Sequence, residues 1–396
     1  MIYLHEPKFD KKESKYLYQC IESGWVTTGS FIQKLENKIK NITKSKNVLL
    51  CANGTSALQI AFKVVGLNKD HEVLAPGLTF IASINSILYN EAKPIFYDCN
   101  NYYVVDQEKL INFFENQTIP KIISYKNKKK KVLINKKTKK RIYAILLVHT
   151  FGNASNIDKI YKFLKDHNIF IIEDAAESLG TYYISGRFKN EHTGTIGDIG
   201  CLSFNGNKII TSGGGGAILT NTASFYKKAK YLINQAKDNY MLFKHNSVGY
   251  NFPLSNLHAA VGYSQSQKFK KILKKKKKIN IIYKSELKDA LSVKISENPN
   301  YASNNCWLNI LETKKKIDFK RTINIFKKNN IEIRPFWYPC YRQKYLKKYQ
   351  KINHDYIDRI YDYRICLPSS YHLTTKEVKK ICSVIKLKFD NKNEQN

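Results

Sequence analysis

Lys208 closes the run Ser203-Phe204-Asn205-Gly206-Asn207-Lys208, and the glycines 213–216 follow it. Upstream, Ile171-Ile172-Glu173-Asp174 runs from apolar residues into acids. A lysine amine can hold an aldehyde as an imine, and a carboxylate at a strand end can keep a pyridine nitrogen protonated. Those two groups are what pyridoxal phosphate chemistry requires. The chain is so rich in lysine that one alone carries no weight; the residues around Lys208 single it out. A third group fits the same chemistry. Asn53-Gly54-Thr55-Ser56 stands between an apolar strand and a helix. Open N–H groups at a helix N-terminus bind phosphate, and a glycine lets backbone come close. The same residue types would also serve as an ordinary N-cap.

These groups need elements to carry them. Apolar runs at 47–51, 72–75, 93–98, 143–148 and 169–172 predict strands. Helices are expected at 56–65 and 157–167. The alternation predicts an α/β fold, with a mainly parallel sheet covered by helices on both faces. Residues 124–141 read as an inserted basic loop or hairpin. From about residue 255 the pattern changes to long Lys-rich helices and a few short strands. The expected division is a large domain over 1–254 and a smaller α+β domain over 255–396. His149-Thr150-Phe151-Gly152 ends a strand on the side where open α/β sheets bind ligands. His149 is thus a candidate substrate contact, and equally a satisfied structural histidine.

Composition narrows the classes. The 396 residues give room for a substantial core. No run of ~18 apolar residues is present, so no membrane span is expected. The N-terminus lacks a signal-peptide pattern, and the eight Cys form no CxxC pair. Buried, reduced thiols, a cytoplasmic location and no metal site are expected. The net charge of +35 is extreme. Its lysines cluster at 128–131, 136–140 and 274–278, between the chemical motifs and not on them. A bias spread over solvated faces accounts for this pattern. A positive field would also help capture an anionic substrate. No helix-turn-helix or RNA-binding motif accompanies the charge, so no nucleic acid partner is expected.

Further blocks extend the pattern. Gly24-Trp25-Val26-Thr27-Thr28-Gly29, Asn53-Gly54-Thr55-Ser56-Ala57-Leu58 and Pro76-Gly77-Leu78-Thr79-Phe80 precede the acid and the lysine. Gly249-Tyr250-Asn251, Arg334-Pro335-Phe336-Trp337 and Leu367-Pro368-Ser369-Ser370 follow them. In this order the chain resembles the DegT/DnrJ/EryC1/StrS family, the pyridoxal-phosphate sugar aminotransferases of fold type I. The resemblance implies that Lys208 is the catalytic lysine and that Asp174 faces the pyridine nitrogen. It implies that Gly54, Thr55, Ser56 and Ser203 serve the phosphate, and that Phe80 stacks on the ring. Glu177 stands where the family more often has Gln or His, near the phenolic oxygen. Asn251 resembles a residue that reaches the partner's phosphate in a homodimer. The family usually has Arg two positions later, where this chain has Pro253.

The resemblance also implies a reaction. A dehydrase branch of the family replaces the lysine with histidine, so Lys208 favours transamination. The blocks at 173–180 and 203–210 look most like the branch of legionaminic acid and N-acetylbacillosamine biosynthesis. The implied substrates are glutamate and a nucleotide-linked 4-keto-6-deoxy-HexNAc, aminated at C4. Arg334 is a candidate for diphosphate contact, because a guanidinium bridges two phosphate oxygens. The alternatives are a 3-keto sugar aminotransferase of the same family and a non-enzymatic regulator.

Overall fold

The computed structural model describes residues 1–125, 127–239 and 241–390. Strands β1 (Asn47–Cys51), β2 (His71–Pro76), β3 (Lys93–Tyr97), β4 (Thr118–Tyr125), β5 (Lys128–Asn135), β6 (Arg141–Val148) and β7 (Phe170–Asp174) come first in the chain. They share one nine-stranded sheet with Ile199–Ser203 and Gly216–Thr220. The pairings β3·β2, β2·β6, β6·β7 and β7 with Ile199–Ser203 are parallel. Gly216–Thr220 and β1 close the far side in antiparallel register. The expected basic insertion is the antiparallel hairpin β4·β5, joined to the start of β6. Lys126, part of the expected insertion, lies outside the described residues.

Helices α1 (Lys11–Glu22), α2 (Ser30–Thr43), α3 (Gly54–Val65), α4 (Ile81–Leu88), α5 (Gln107–Gln117), α6 (Tyr161–Asp166) and α7 (Ala223–Ile233) cover the sheet. The helix expected over 157–167 is therefore shorter, keeping only its last turns. Two apolar clusters pack on the sheet's faces. One gathers Leu49, Phe62, Leu146 and Leu202, and the other Leu74, Ile95, Ile145 and Ile171. Adjacent residues such as Ile145 and Leu146 enter opposite clusters because strand side chains alternate. This accounts for the continuous apolar runs of the strands.

Helices α8 (Asn256–Gln267) and α9 (Phe269–Glu286) lead to a four-stranded antiparallel sheet. Its strands are Val293–Ile295, Asn309–Thr313, Arg334–Pro335 and Arg364–Leu367, with Phe319–Lys328 and Thr375–Phe389 as its long helices. The small unit does not begin at 255. The α8 residues Ala259 and Ala260 lie in the large core, as do Phe269 and Ile272 of α9. Only from Ile279 and Tyr283 onward does α9 join the small unit's core. The change of core falls inside α9. The sequence hides this because α8 buries small residues instead of an apolar stripe. A Cβ at Gly262 would stand 2.2 Å from Ser212 Oγ, so only glycine allows that approach. All eight cysteines are buried and free. No helix among the described residues is long and apolar enough to cross a membrane.

Candidate active site

The C-terminal ends of β1, β7 and Ile199–Ser203 point the same way, and the small sheet closes over them. Between them lies a cavity of about 380 Å³. Gly54, Thr55, Phe80, Asp174, Glu177, Ser203, Lys208 and Arg334 all line it. These expected residues come from five separate stretches of chain, and the fold brings them into one space.

The phosphate end is built by α3. Asn53 caps the helix, its side chain accepting from Ser56 N at 2.8 Å. That bond uses the Ser56 amide internally, and Ser56 is buried and does not line the cavity. The Ser56 amide therefore serves the cap, which corrects the expectation only for that group. The first-turn amides of Gly54 and Thr55 end the helix at the cavity, where an anion is favoured. A Cβ on Gly54 would meet Ser203 Cβ at 2.9 Å. The glycine thus lets Ser203 close on the helix start.

Asp174 ends β7 with its side chain nearly buried. One oxygen accepts from Ser83 Oγ at 2.6 Å, the other from Ala176 N at 3.1 Å. These donors favour and orient the carboxylate at the cavity floor. Ser83 on α4 carries no motif, and sequence reasoning missed it. Phe80, the N-cap residue of the same helix, presents a ring that is 59% exposed. An apolar ring face near a fixed carboxylate suits a flat heteroaromatic ring with a basic nitrogen.

His149 is not in the cavity. It is fully buried, and its Nε2–H donates to Glu173 Oε2 at 2.9 Å while Nδ1 accepts from Ser155 N at 3.0 Å. Both ring nitrogens are used, so it cannot also hold substrate. The structural alternative for His149 is the correct one.

Lys208 Nζ lies 3.4 Å from Glu177 Oε1 and 4.2 Å from the centre of the Trp307 ring. The other Glu177 oxygen accepts from Phe151 N at 2.8 Å. Burial pushes the Glu177 carboxyl up to about 7, with Lys208 and the Phe151 amide pulling the other way. Trp307 also donates its indole N–H to Asn207 O at 2.7 Å. Trp307 was missed as well. It arrives from the small unit, far along the chain, and its only local signal is that tryptophan occurs three times.

Arg334 lines the mouth, 63% exposed, and donates to one oxygen of Glu332, Oε1, through both Nε at 3.1 Å and Nη2 at 2.9 Å. Asn251 is exposed and does not line its own chain's cavity; it bridges to Asn234.

Residues 7–386 match the DegT/DnrJ/EryC1/StrS aminotransferase family. The chain belongs to that family. It is 33% identical to a GDP-perosamine synthase of Vibrio cholerae, covering 98% of this chain and 100% of the relative. A UDP-4-amino-4,6-dideoxy-N-acetyl-beta-L-altrosamine transaminase of Campylobacter jejuni is 28% identical over 72% of this chain and 69% of its own. The PLP form of the sugar aminotransferase Spr1654 from Streptococcus pneumoniae superimposes with a TM-score of 0.83 at 19% identity, covering 97% of both chains. The protein is a pyridoxal-phosphate-dependent nucleotide-sugar transaminase. The residues present fit the cofactor: a helix N-terminus for its phosphate, a carboxylate for its nitrogen, an aromatic face and a lysine.

Glu177 gives a pH test. Between about pH 4.3 and 7 the folded chain keeps a proton that the unfolded chain has lost. Stability contributed by this carboxyl is therefore full below that window and lost as pH rises through it. In the cofactor-free protein, Glu177→Gln should gain on wild type by about 3 kcal/mol between pH 5 and pH 8. Urea unfolding at a series of pH values measures the difference; a constant difference would refute the raised carboxyl.

Proposed function

We propose that this protein moves an amino group from glutamate to C4 of a nucleotide-linked 4-keto-6-deoxy sugar. The observation that carries this is one cavity holding the Lys208 amine, the fixed Asp174 carboxylate and the α3 N-terminus. Bound pyridoxal phosphate supplies an electron sink for the carbon that loses or gains a proton. Asp174 sustains that sink by holding the ring nitrogen protonated. Lys208 Nζ is the amine that would carry the cofactor; once freed, it would take a proton as a base and, as the ammonium, deliver that proton to sugar C4. Glu177, poised near neutrality beside Lys208, accepts and returns charge as the amine changes state. Arg334 at the mouth is placed for a diphosphate, provided it exchanges Glu332 for the substrate.

The relatives refine the sugar. The resemblance to a GDP-perosamine synthase spans both chains and favours a GDP-linked 4-keto-6-deoxyhexose. A UDP-linked 4-keto-6-deoxy-HexNAc is the second reading, favoured by the altrosamine transaminase. The legionaminic acid and N-acetylbacillosamine pathways implied by the resemblance are not specifically supported.

Two copies of the chain are proposed to complete each site. Asn251 misses its own cavity, and the nearby hairpin arm exposes Met241, Leu242, Phe243 and Val248. Such an apolar tip suits an isologous partner.

Three outcomes test these readings. Borohydride reduction should label Lys208, and Lys208→Ala should abolish turnover; label on another lysine sinks the assignment. In single turnovers, loss of the pyridoxamine-form absorbance should be about tenfold faster with the GDP-linked hexose than with the UDP-linked HexNAc. The reverse order would select the second reading, and discharge by a 3-keto sugar alone would reject both. Mixing inactive Lys208→Ala and Asn251→Asp chains should restore part of the activity. Mixed dimers without activity would place each site within one chain.

A further inference from the structure

The lysine run 274–278 reads as a solvated face, yet Lys276 is 1% exposed. Its ammonium sits where α9, the N-terminal segment and the small sheet meet. Nζ donates to Trp307 O at 3.0 Å, to Ser369 O at 2.6 Å and to His5 Nε2 at 3.2 Å. Three N–H groups thus meet three acceptors. Because His5 Nε2 accepts, its ring is held neutral with the proton on Nδ1; burial and Lys276 keep its pKa well below the ordinary histidine value. Among the described residues no carboxylate forms an ion pair with Lys276. Burial alone pulls its amine down to about 7, and the Cys306 thiol is the one group opposing that shift. A buried cation without a counter-ion is expensive. A chain that only needed to fill this space would do better with Met or Leu.

What the ammonium holds connects it to the chemistry. Trp307 O is gripped by Lys276, the Trp307 indole N–H is bonded to Asn207 O, and the ring lies under Lys208 Nζ. The tryptophan is therefore fixed at its backbone by one lysine and sets the surroundings of another. Ser369 O, the second acceptor, belongs to the block Leu367-Pro368-Ser369-Ser370. Ser369 Oγ accepts from Asn309 N at 2.9 Å, two residues beyond Trp307. The cation thus ties the chain just before one strand of the small sheet and just after its neighbour to α9.

We propose that Lys276 is a positioning residue for the transamination: it fixes the Trp307 backbone, and through the indole it sets the orientation and electrostatics of the Lys208 amine. The inference rests on Lys208 being the reacting amine, as assigned above. A misplaced amine costs rate without weakening substrate binding, because binding and near-attack geometry are separate demands.

The experiment uses Lys276→Met, which keeps the length and volume and removes the donors. Two readouts are taken. In the cofactor-free protein carrying Trp25→Phe and Trp337→Phe, the remaining emission reports Trp307 alone. Lys276→Met should raise its quenching by acrylamide and shift its emission, whatever the reaction is. In the holoenzyme with its own tryptophans, Lys276→Met should lower kcat about tenfold or more with KM little changed. The double variant Lys276→Met/Trp307→Phe should be no slower than Trp307→Phe, since both act through the same indole. Unchanged Trp307 emission, or losses that add in the double variant, would overturn the proposal. A change in emission with no sugar transaminated by wild type would leave the clamp standing and reject the functional reading instead. Should both Lys276→Met and Lys276→Gln fail to fold, the residue is structural, and the positioning role is overturned.

Discussion

The site depends on a buried carboxylate that never touches it. Glu173 is fully buried at the end of β7. One oxygen accepts from Gly197 N at 2.6 Å, the other from Gly194 N at 2.8 Å and from His149 Nε2 at 2.9 Å. Burying a carboxyl group is costly unless its oxygens find donors of this number and quality. Through them Glu173 ties the 194–197 loop and the end of β6 to β7. Strand residues alternate in direction, so the next residue must face the other way. Asp174 is therefore presented to the cavity by the same strand end that Glu173 anchors. The two acids look alike in the sequence, and the pleat gives them different work.

That division explains what could be read from the sequence and what could not. Groups fixed by local geometry were legible. Asn53-Gly54-Thr55 announces a helix start, Asp174 ends an apolar strand, and Lys208 follows a turn-rich run. Each of these lines the cavity. The errors occur where a local signal has two outcomes. Ser56 could face a phosphate or donate its amide to the cap, and Asn53 takes it. His149 could face the ligand or the layer beneath, and the unmet acceptors of Glu173 decide the matter. Ser83 and Trp307 gave no signal because their roles exist only after distant segments meet. The domain boundary failed for a related reason. Helix α8 packs against α1 and α2 through small residues and through Asn256, whose amide bonds Trp25 O at 2.7 Å and Phe31 N at 3.1 Å. No apolar periodicity reveals such a contact.

The basic composition needs a finer reading than its net value. Most lysines are spread over solvated surfaces, where each contributes little beyond solubility and a long-range positive field. The field suits an anionic nucleotide sugar, but a field does not position atoms. Lys208 and Lys276 differ from the other lysines by burial and by what they face. Lys208 faces Glu177 and an indole; Lys276 faces two carbonyls and an imidazole. An amine among carbonyls is a fixed donor, whereas Lys208 lies beside a carboxyl that burial raises to about 7.

Glu177 is where this chain departs from the usual family pattern, and the structure supplies a physical reason for accepting an acid there. A fully ionised carboxylate beside Asp174 would repel it and would suit a cofactor oxygen poorly. A carboxyl that burial raises to about 7 is instead protonated over part of the neutral range, which lessens that repulsion. Its second oxygen is pinned by the Phe151 amide, and that residue is forced to a left-handed backbone with φ of 56°. A non-glycine residue in that region is strained unless its surroundings hold it. Here the holding group is Glu177 itself, so the acid and the kink after β6 stabilise one another. Glutamine could keep the bond to the Phe151 amide but has no proton to give up, so only the acid makes this contact depend on pH.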